Sequence, residues 1–382
     1  MLAEPRIPFN RSSIEGKELE YIAQTVAHGQ IAGNQGYSLR CQQLLKSTLG
    51  VAEALATTSC THALEMAALL IGIKPGDEVI IPTFTFVSTA NAFALRGAQP
   101  VFCDIRPDTL NMDEEAVSAL ITDRTKAIVP VHYAGVGCEM DSILETANRR
   151  GIAIVEDNAH GLFGKYKGKW LGTFGGLATQ SFHETKNITC GEGGALLIND
   201  QAYVERAEVL REKGTNRSRF FRGQVDKYTW VDLGSSYVMS DVLAAFLFGQ
   251  LEVWEEVQEK RRRIWHRYAQ GLTDWSHAQG VRLPHVPEHC DQAYHMFYLL
   301  LPDGSSRDRF IAFLKQRGIY SVFHYIPLHS SPMGSQLGVA PLGCPVATDI
   351  SERLVRLPFY NQLTQEDQDF VIEKVQCFQT RC

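Results

Sequence analysis

The sequence predicts an α/β fold, with a large domain built on a mostly parallel β-sheet flanked by helices and a smaller α/β domain at the carboxyl end. Between residues 52 and 185, short apolar runs alternate with stretches of helical periodicity, which is typical of a doubly wound parallel sheet. After residue 195 the alternation weakens, and a long helical stretch over 242–267 leads onward. Because the length of 382 residues favours two domains, we place them at residues 1–250 and 251–382.

The individual elements follow from the spacing of apolar residues. Strands are expected at 54–57, 78–81, 100–103, 127–131 and 152–155, and helices at 60–71, 88–97, 113–120 and 140–149. A further strand over 178–182 runs toward a glycine-rich hairpin at 191–194. In the second domain, strands over 290–300 and 320–325 enclose an amphipathic helix over 307–317.

Composition and charge exclude several classes of protein. The formal net charge of -6 argues against a surface for nucleic acid or for an anionic membrane. The nine cysteines are scattered without a CxxC pair, as expected for reduced thiols, and we predict no metal site. The first residues hold no apolar core long enough for a signal peptide, and no run of about 18 apolar residues predicts a membrane span. We therefore expect a cytoplasmic protein.

Two strand ends carry an acid and an amine. The run over 152–155 ends in Glu156 and Asp157, and an acid that leaves a buried strand needs a cation or a strong donor, such as a protonated ring nitrogen. A carboxylate that caps the next turn is the alternative. The strand over 178–182 leads to Lys186, on the next strand-like element of the same sheet. Without the acid nearby, a solvent-exposed lysine would be the simpler interpretation.

A third strand end favours an anion. Where the strand over 54–57 meets the next helix, hydroxyls and free backbone N–H groups are expected, and such groups bind phosphate. Simple N-capping by Thr58 or Ser59 is the alternative. Together the three strand ends supply an amine for a Schiff base, an acid for a pyridinium nitrogen and a phosphate cradle. This combination matches the requirements of pyridoxal 5'-phosphate (PLP).

Several segments of the chain carry a resemblance to a known family. They are Ile7-Pro-Phe, Gly76-Asp-Glu-Val-Ile-Ile-Pro-Thr-Phe-Thr-Phe86, Pro130-Val-His-Tyr-Ala-Gly135, Glu156-Asp157, Ser181-Phe-His-Glu-Thr-Lys186, Gly191-Glu-Gly-Gly194 and Met239-Ser-Asp241. Over nearly its whole length the chain resembles the DegT/DnrJ/EryC1/StrS family of sugar aminotransferases. The resemblance implies the PLP-dependent aminotransferase fold of type I and a homodimer with active sites at the subunit interface.

The resemblance also assigns roles around the cofactor ring. It implies that Lys186 carries PLP as a Schiff base and then shuttles a proton, and that Asp157 pairs with the pyridinium nitrogen. His160 would lie near the ring and its phenolic oxygen, and Phe86 would stack on the ring face. For Phe86, an ordinary place in the hydrophobic core remains an open alternative.

The cofactor phosphate has its own implied ligands. Cys60 and Thr61 would hold it largely through backbone N–H groups, and Ser181 through its side chain. Many family members add an asparagine from the neighbouring subunit, and here Ser236 takes that position. The shorter hydroxyl puts the contact across the interface in doubt.

Two further groups of residues are candidates for binding the substrate. His324, Tyr325 and His329 lie in a loop that in relatives approaches the sugar nucleotide, although a surface loop with half-buried histidines is an alternative. Lys213 and Arg219 belong to a basic stretch over 211–222 that suits a diphosphate. A solvated basic loop would explain the same residues.

The implied reaction consists of two half-transaminations at one site. L-glutamate would donate the amino group, and dTDP-4-keto-6-deoxy-D-glucose would accept it at C4, for surface polysaccharide. Amination of a 3-keto isomer stays open, as does a PLP-binding regulator without catalysis. Lys186 argues against a dehydratase, in which histidine replaces the lysine, and Cys190 has no neighbouring cation that would activate it for desulfurase chemistry.

Overall fold

The computed structural model describes residues 6–380, so the outermost residues of the two predicted domains, 1–5 and 381–382, lie outside it. The helices are α1 (Glu18–Ala27), α2 (Gly36–Leu49), α3 (Cys60–Leu70), α4 (Val87–Ala94), α5 (Glu114–Leu120), α6 (Met140–Arg150), α7 (Val204–Arg211), α8 (Arg217–Phe221), α9 (Asp241–Leu251), α10 (Trp254–Gln279), α11 (Gly304–Lys315), α12 (Pro332–Leu337), α13 (Pro345–Arg353) and α14 (Gln365–Gln376). The strands are β1 (Glu53–Thr57), β2 (Glu78–Pro82), β3 (Gln99–Cys103), β4 (Thr125–Ile128), β5 (Ala153–Asp157), β6 (Lys165–Tyr166), β7 (Lys169–Trp170), β8 (Leu177–Ser181), β9 (Gly194–Ile198), β10 (Cys290–Asp291), β11 (Tyr298–Leu300) and β12 (Leu354–Arg356). None of these helices is long and apolar enough to span a membrane.

The central sheet has seven strands in the order β1-β9-β8-β5-β4-β2-β3. Pairing is parallel from β3 through β2, β4 and β5 to β8, whereas β9 runs antiparallel to both of its neighbours. The predicted α/β fold with a mostly parallel sheet is therefore confirmed. Because β1, β5 and β8 point the same way, their carboxyl ends meet at one edge, where ligands of such sheets bind.

Both faces of this sheet are buried under helices. Successive side chains of a strand point to opposite faces, so Ile80 packs in one core and its neighbours Val79 and Ile81 pack in another. All three side chains are nearly inaccessible to solvent. Continuous burial of this kind explains why the strands appear in the sequence as apolar runs without polar alternation.

A separate hydrophobic core lies in the carboxyl-terminal part of the chain. Tyr268 and Leu272 of α10 pack there against Phe297 and Phe310, beside the antiparallel pair β11-β12. Ile7 belongs to the same core and forms a β-bridge with Ile319. The amino-terminal segment thus crosses to the carboxyl-terminal part of the protein. We still propose the boundary near residue 250, which lies in the last turn of α9, just before α10 begins.

The prediction of one helix over 242–267 was wrong, because the chain breaks it into α9 and α10. Val253 adopts φ -116° and ψ 25° between the two helices. The break coincides with a change of surroundings: α9 is mostly buried, whereas the first turn of α10 contains Glu255 and Glu256.

The predicted strands over 290–300 and 320–325 were also wrong in part. Between β10 and β11, the carbonyl groups of Ala293, Tyr294 and His295 accept hydrogen bonds from the side chains of Asn187 and Arg261 instead of from a strand. In the second segment only Val322 forms a bridge, with Arg356. The partner of β11 is therefore β12, and the loop over 320–325 is free to contribute to the site. The remaining predicted elements are present with shifted ends.

Candidate active site

A cavity of about 700 Å³ opens at the carboxyl ends of β1, β5 and β8. It is lined by most of the residues that the sequence singles out. These are Cys60, Thr61, Phe86, Asp157, His160, Ser181, Lys186, His324 and Tyr325. Residues that are far apart in the sequence are thus collected in one space.

The two acids at the end of β5 have different surroundings. Glu156 is buried against the loop that follows β7, where its carboxylate accepts hydrogen bonds from the amides of Gly172, Phe174 and Gly175. Asp157 instead lines the cavity, and its Oδ2 accepts a hydrogen bond of 2.7 Å from Thr89 Oγ1. Burial raises the pKa of Asp157, although the Thr89 hydrogen bond opposes this shift. A cation in the cavity would stabilise the carboxylate.

Lys186 follows β8 in a turn closed by a 2.9 Å hydrogen bond from its amide to the carbonyl of His183. Burial lowers the pKa of Lys186 to about 8, and the positive charge of Arg356 acts in the same direction. The next residue, Asn187, is fixed by a 2.6 Å hydrogen bond to the Ala293 carbonyl. The structure therefore holds an amine of lowered basicity beside the acid of β5.

The start of α3 offers backbone donors to the cavity. Ser59 caps this helix, and its side chain accepts from the amide of His62. Within residues 6–380, the amides of Cys60 and Thr61 find no acceptor, as expected for the first turn of a helix. Gly194 lies against this turn, because a Cβ there would be 2.4 Å from the Cys60 nitrogen. The N-terminus of an eleven-residue helix is thus held open beside Ser181 and Lys186.

An aromatic stack forms another wall of the cavity. The rings of His160 and His295 lie parallel, with centroids 4.2 Å apart. His160 Nε2 is 3.3 Å from the Tyr325 hydroxyl, while its buried Nδ1 has no partner among the described residues. Burial lowers the pKa values of His160 and His295 well below the usual range. Both imidazoles are therefore neutral near pH 7.

The loop after Val322 brings two further predicted residues to the cavity. His324 stacks on Tyr325 with 3.6 Å between ring centroids, and its Nδ1 is 2.6 Å from the Tyr133 hydroxyl. The ring of Phe86 lies 6.3 Å from that of Tyr325 and is 56% exposed. Phe86 is therefore part of the cavity wall and does not belong to the hydrophobic core.

Four predicted residues do not line the cavity of their own chain. The ring of His329 contacts Thr83 Oγ1 at 2.7 Å, below the cavity wall. Lys213 pairs with Glu212 at 3.5 Å, and Arg219 pairs with Glu205. Ser236 is exposed and forms a β-bridge with Glu212.

Sequence reasoning missed three residues of the site. Thr89 donates to Asp157, His295 stacks on His160, and Arg356 reaches the cavity from β12. Thr89 belongs to α4, which begins directly after Phe86, so its position close to a predicted site residue offered a local signal. His295 and Arg356 lie more distant in sequence from Lys186, and no spacing pattern marks them.

Comparison with known proteins adds to this geometry. The model of the DegT/DnrJ/EryC1/StrS aminotransferase family matches residues 12–376. The chain belongs to this family. SpsC of Bacillus subtilis, a spore coat polysaccharide biosynthesis protein, is 33% identical over 97% of this chain and 96% of its own.

Solved structures agree with the aminotransferase assignment. The aminotransferase TlmJ of Streptoalloteichus hindustanus is 31% identical, with a TM-score of 0.89 over 97% of this chain and 98% of that chain. Spr1654 of Streptococcus pneumoniae has been solved in a PLP-form, with 26% identity and a TM-score of 0.89 over 97% of this chain and 98% of that chain. The prediction that the protein is a PLP-dependent aminotransferase is therefore confirmed, and so is the predicted fold.

Proposed function

We propose that the aminotransferase moves the amino group of L-glutamate to a nucleotide-linked keto sugar. The observation that carries this proposal is the single cavity that joins Lys186, Asp157 and the open start of α3. The acceptor that we propose is dTDP-4-keto-6-deoxy-D-glucose, which would give a dTDP-4-amino-4,6-dideoxy sugar. Four segments support this choice, since 182–187, 211–217, 221–230 and 323–329 resemble the 4-aminating transaminase of enterobacterial common antigen synthesis.

The residues of the cavity fit PLP. The unpaired amides of Cys60 and Thr61, with Ser181, would hold the phosphate at the helix start. The close contact of Gly194 with the Cys60 backbone keeps this cradle open. Asp157 would pair with the pyridinium nitrogen and Phe86 would cover the ring. When bound, PLP supplies the electron sink and carries the amino group between the two substrates.

Lys186 provides the base. A pKa of about 8 leaves a sizeable neutral fraction of the amine near pH 7.5, so Nζ can form the covalent link to the cofactor. Once released from that link, Nζ would accept the proton from the donor's α-carbon and later deliver one to the sugar carbon. Burial raises the pKa of Asp157, and a protonated ring nitrogen would oppose this shift and favour the carboxylate.

Neutral aromatic groups would orient the rest of the substrate. The Tyr325 hydroxyl contacts His160, so both can hold a polar group of the cofactor or sugar between them. His324 is buried behind Tyr325 and bonded to Tyr133, and it would position Tyr325. His329 would support the same loop from outside through Thr83.

We also propose a homodimer that completes the site. Around α8, large apolar side chains are left exposed, among them Phe221 at 67% and Trp230 at 74%. Exposed apolar side chains grouped in this way mark protein interfaces. Lys213, Arg219 and Ser236 lie in the same part of the chain, so we expect them to reach the cavity of the partner subunit.

Analysis of the product tests this function. Purified holoenzyme is incubated with L-glutamate and either the 4-keto or the 3-keto isomer of the dTDP-linked 6-deoxy sugar, and the product is analysed by mass and NMR. We expect amination of the 4-keto sugar. Faster amination of the 3-keto isomer would overturn the C4 assignment. Failure of both sugars with every amino donor would favour a PLP-binding regulator.

A further inference from the structure

Among the described residues, Arg356 is a cation of the cavity without an anionic partner. In the described part of the chain, its guanidinium forms no ion pair and donates only to the Phe323 carbonyl, through Nε at 3.4 Å and NH2 at 3.3 Å. The ring of Phe9 lies 4.7 Å from Cζ. Burial lowers the pKa of Arg356. A guanidinium held in this way retains strong donors for a ligand.

A fully buried arginine of this region has its donors satisfied by the protein itself. Arg261 donates to the carbonyls of Tyr294 at 2.9 Å and His295 at 2.6 Å, and to the Asn361 side chain at 2.8 Å. The two hydrogen bonds to the carbonyls fix the loop between β10 and β11. Arg356 makes no comparable set of bonds, so a purely structural role does not account for its charge.

The charge of Arg356 acts on the end of the cavity that holds the lysine. Burial and then Arg356 lower the pKa of His324, and Arg356 also lowers the pKa of Lys186. At the start of α3 the influences differ: burial and Asp157 raise the pKa of Cys60, and Lys186 lowers it. The guanidinium contacts the loop that holds His324 and Tyr325, whereas the phosphate cradle is at the start of α3.

We propose that Arg356 binds the α-carboxylate of the amino donor, an inference that rests on the proposed function. The α-carboxylate is attached to the carbon whose amino group reacts beside Lys186. The diphosphate of the acceptor is separated from its reacting carbon by the sugar ring. The planar guanidinium matches a carboxylate in bidentate geometry. Arg356 thus acts in the half-reaction of the donor and selects an amino acid over a simple amine.

Binding can be measured without turnover on holoenzyme whose cofactor has been fixed by borohydride reduction. Calorimetry compares L-glutamate with L-isoglutamine, in which the α-carboxylate is an amide, and with dTDP. Wild-type protein is compared with Arg356→Gln, with Arg356→Lys and with Arg282→Gln. Arg282 is an exposed control in the same part of the fold that contacts the Pro107 carbonyl.

We expect Arg356→Gln to raise the Kd of L-glutamate at least about tenfold, which corresponds to about 1.4 kcal/mol. The preference for L-glutamate over L-isoglutamine should collapse in this variant, while Arg282→Gln behaves as wild type. The Kd of L-glutamate for Arg356→Lys should lie between those of wild type and Arg356→Gln, because lysine keeps the charge without the planar pair of donors. The Kd of dTDP should change less than about twofold, within the ordinary scatter of surface substitutions.

Three outcomes would overturn the assignment: an unchanged Kd for L-glutamate, an unchanged preference over L-isoglutamine, or weaker dTDP binding with glutamate unaffected. The last result would assign Arg356 to the diphosphate. Borohydride incorporation of the cofactor at Lys186 shows that each variant is folded. If the wild-type enzyme aminates no keto sugar, the proposed function fails, whereas normal wild-type turnover with an indifferent Arg356 affects this inference alone.

Discussion

Thr89 Oγ1 donates a 2.7 Å hydrogen bond to Asp157 Oδ2, and Thr85 Oγ1 lies 2.9 Å from the same threonine hydroxyl. The bond ties the first turns of α4 to the carboxyl end of β5. It also opposes the rise in the pKa of Asp157 that burial causes. A residue outside the family segments thus helps to keep the acid of the site ionised.

Replacing Thr89 by Val should shift the pH dependence of activity. Without the donor, the pKa of Asp157 rises further, so the carboxylate is lost at a higher pH and the acidic limb of the profile moves upward. Loss of a buried hydrogen bond to a charged group costs about 1.5–3 kcal/mol, or roughly one to two pH units if all of it falls on ionisation. Thr89→Ser keeps the hydroxyl and is the control. If the pH–activity profiles of Thr89→Val and wild type had the same acidic limb, the Thr89 hydrogen bond would not influence the ionisation of Asp157.

The titration of Lys186 should appear when apoenzyme is reconstituted with PLP. Only the neutral amine attacks the aldehyde, and burial lowers the pKa of Lys186 to about 8. The rate of covalent attachment should therefore rise with pH and level off above about pH 8, as followed by absorbance. A rate that still climbs in proportion to hydroxide near the ordinary lysine pKa of about 10.4 would contradict the buried amine.

Gly194→Ala should weaken cofactor binding. Its Cβ would lie 2.3 Å from the Ser59 carbonyl carbon and 2.4 Å from the Cys60 nitrogen, both backbone atoms that cannot rotate away. The start of α3 must then shift, and we expect the PLP Kd to rise at least tenfold, about 1.4 kcal/mol. Gly176→Ala is the matched control, because its nearest atom would be the Tyr203 ring at 3.5 Å. Equal PLP affinity in Gly194→Ala and Gly176→Ala would show that the start of α3 does not bind the cofactor phosphate.

The proposed dimer has its own test. Trp230→Asp places a charge at the most exposed large apolar residue around α8, which is 74% exposed. We expect sedimentation to show a dimer for wild type and a monomer with greatly reduced activity for Trp230→Asp. Leu342→Asp changes another exposed apolar residue, 56% accessible, far from α8 in sequence, and serves as the comparison. If the wild-type enzyme were active as a monomer, the proposal that two subunits complete each active site would be wrong.

The residues at the strand ends were easier to predict from the sequence than the residues that reach the cavity from distant segments of the chain. The apolar runs of β1, β5 and β8 stand out because these strands are buried on both faces. Alternation along β5 requires Glu156 and Asp157 to point to opposite faces, but only the structure shows that Asp157 lines the cavity. The loop over 320–325 looks like a strand by composition, yet it mainly supplies side chains such as His324 and Tyr325.

The basic stretch over 211–222 shows that the number of basic residues in a segment does not reveal how they are paired in the fold. Its composition suggests a diphosphate site, and the structure adds that several of its cations face acids of their own chain. Arg222 makes two hydrogen bonds of 2.8 Å to Glu208, and Lys213 and Arg219 have acidic partners as well. Arg356, a lone basic residue within an apolar run, drew no attention in the sequence. Pairing within the fold decides which charges remain available for a ligand.

We propose that the enzyme transfers an amino group from L-glutamate to C4 of a dTDP-linked keto sugar. The most direct measurement is to incubate the holoenzyme with ¹⁵N-labelled L-glutamate and dTDP-4-keto-6-deoxy-D-glucose and to locate the label in the purified sugar nucleotide by NMR. We expect ¹⁵N bonded to C4, with one 2-oxoglutarate formed for each amino sugar, and loss of both products in Lys186→Ala. A sugar nucleotide without the label, while the same enzyme preparation holds PLP on Lys186, would contradict the account.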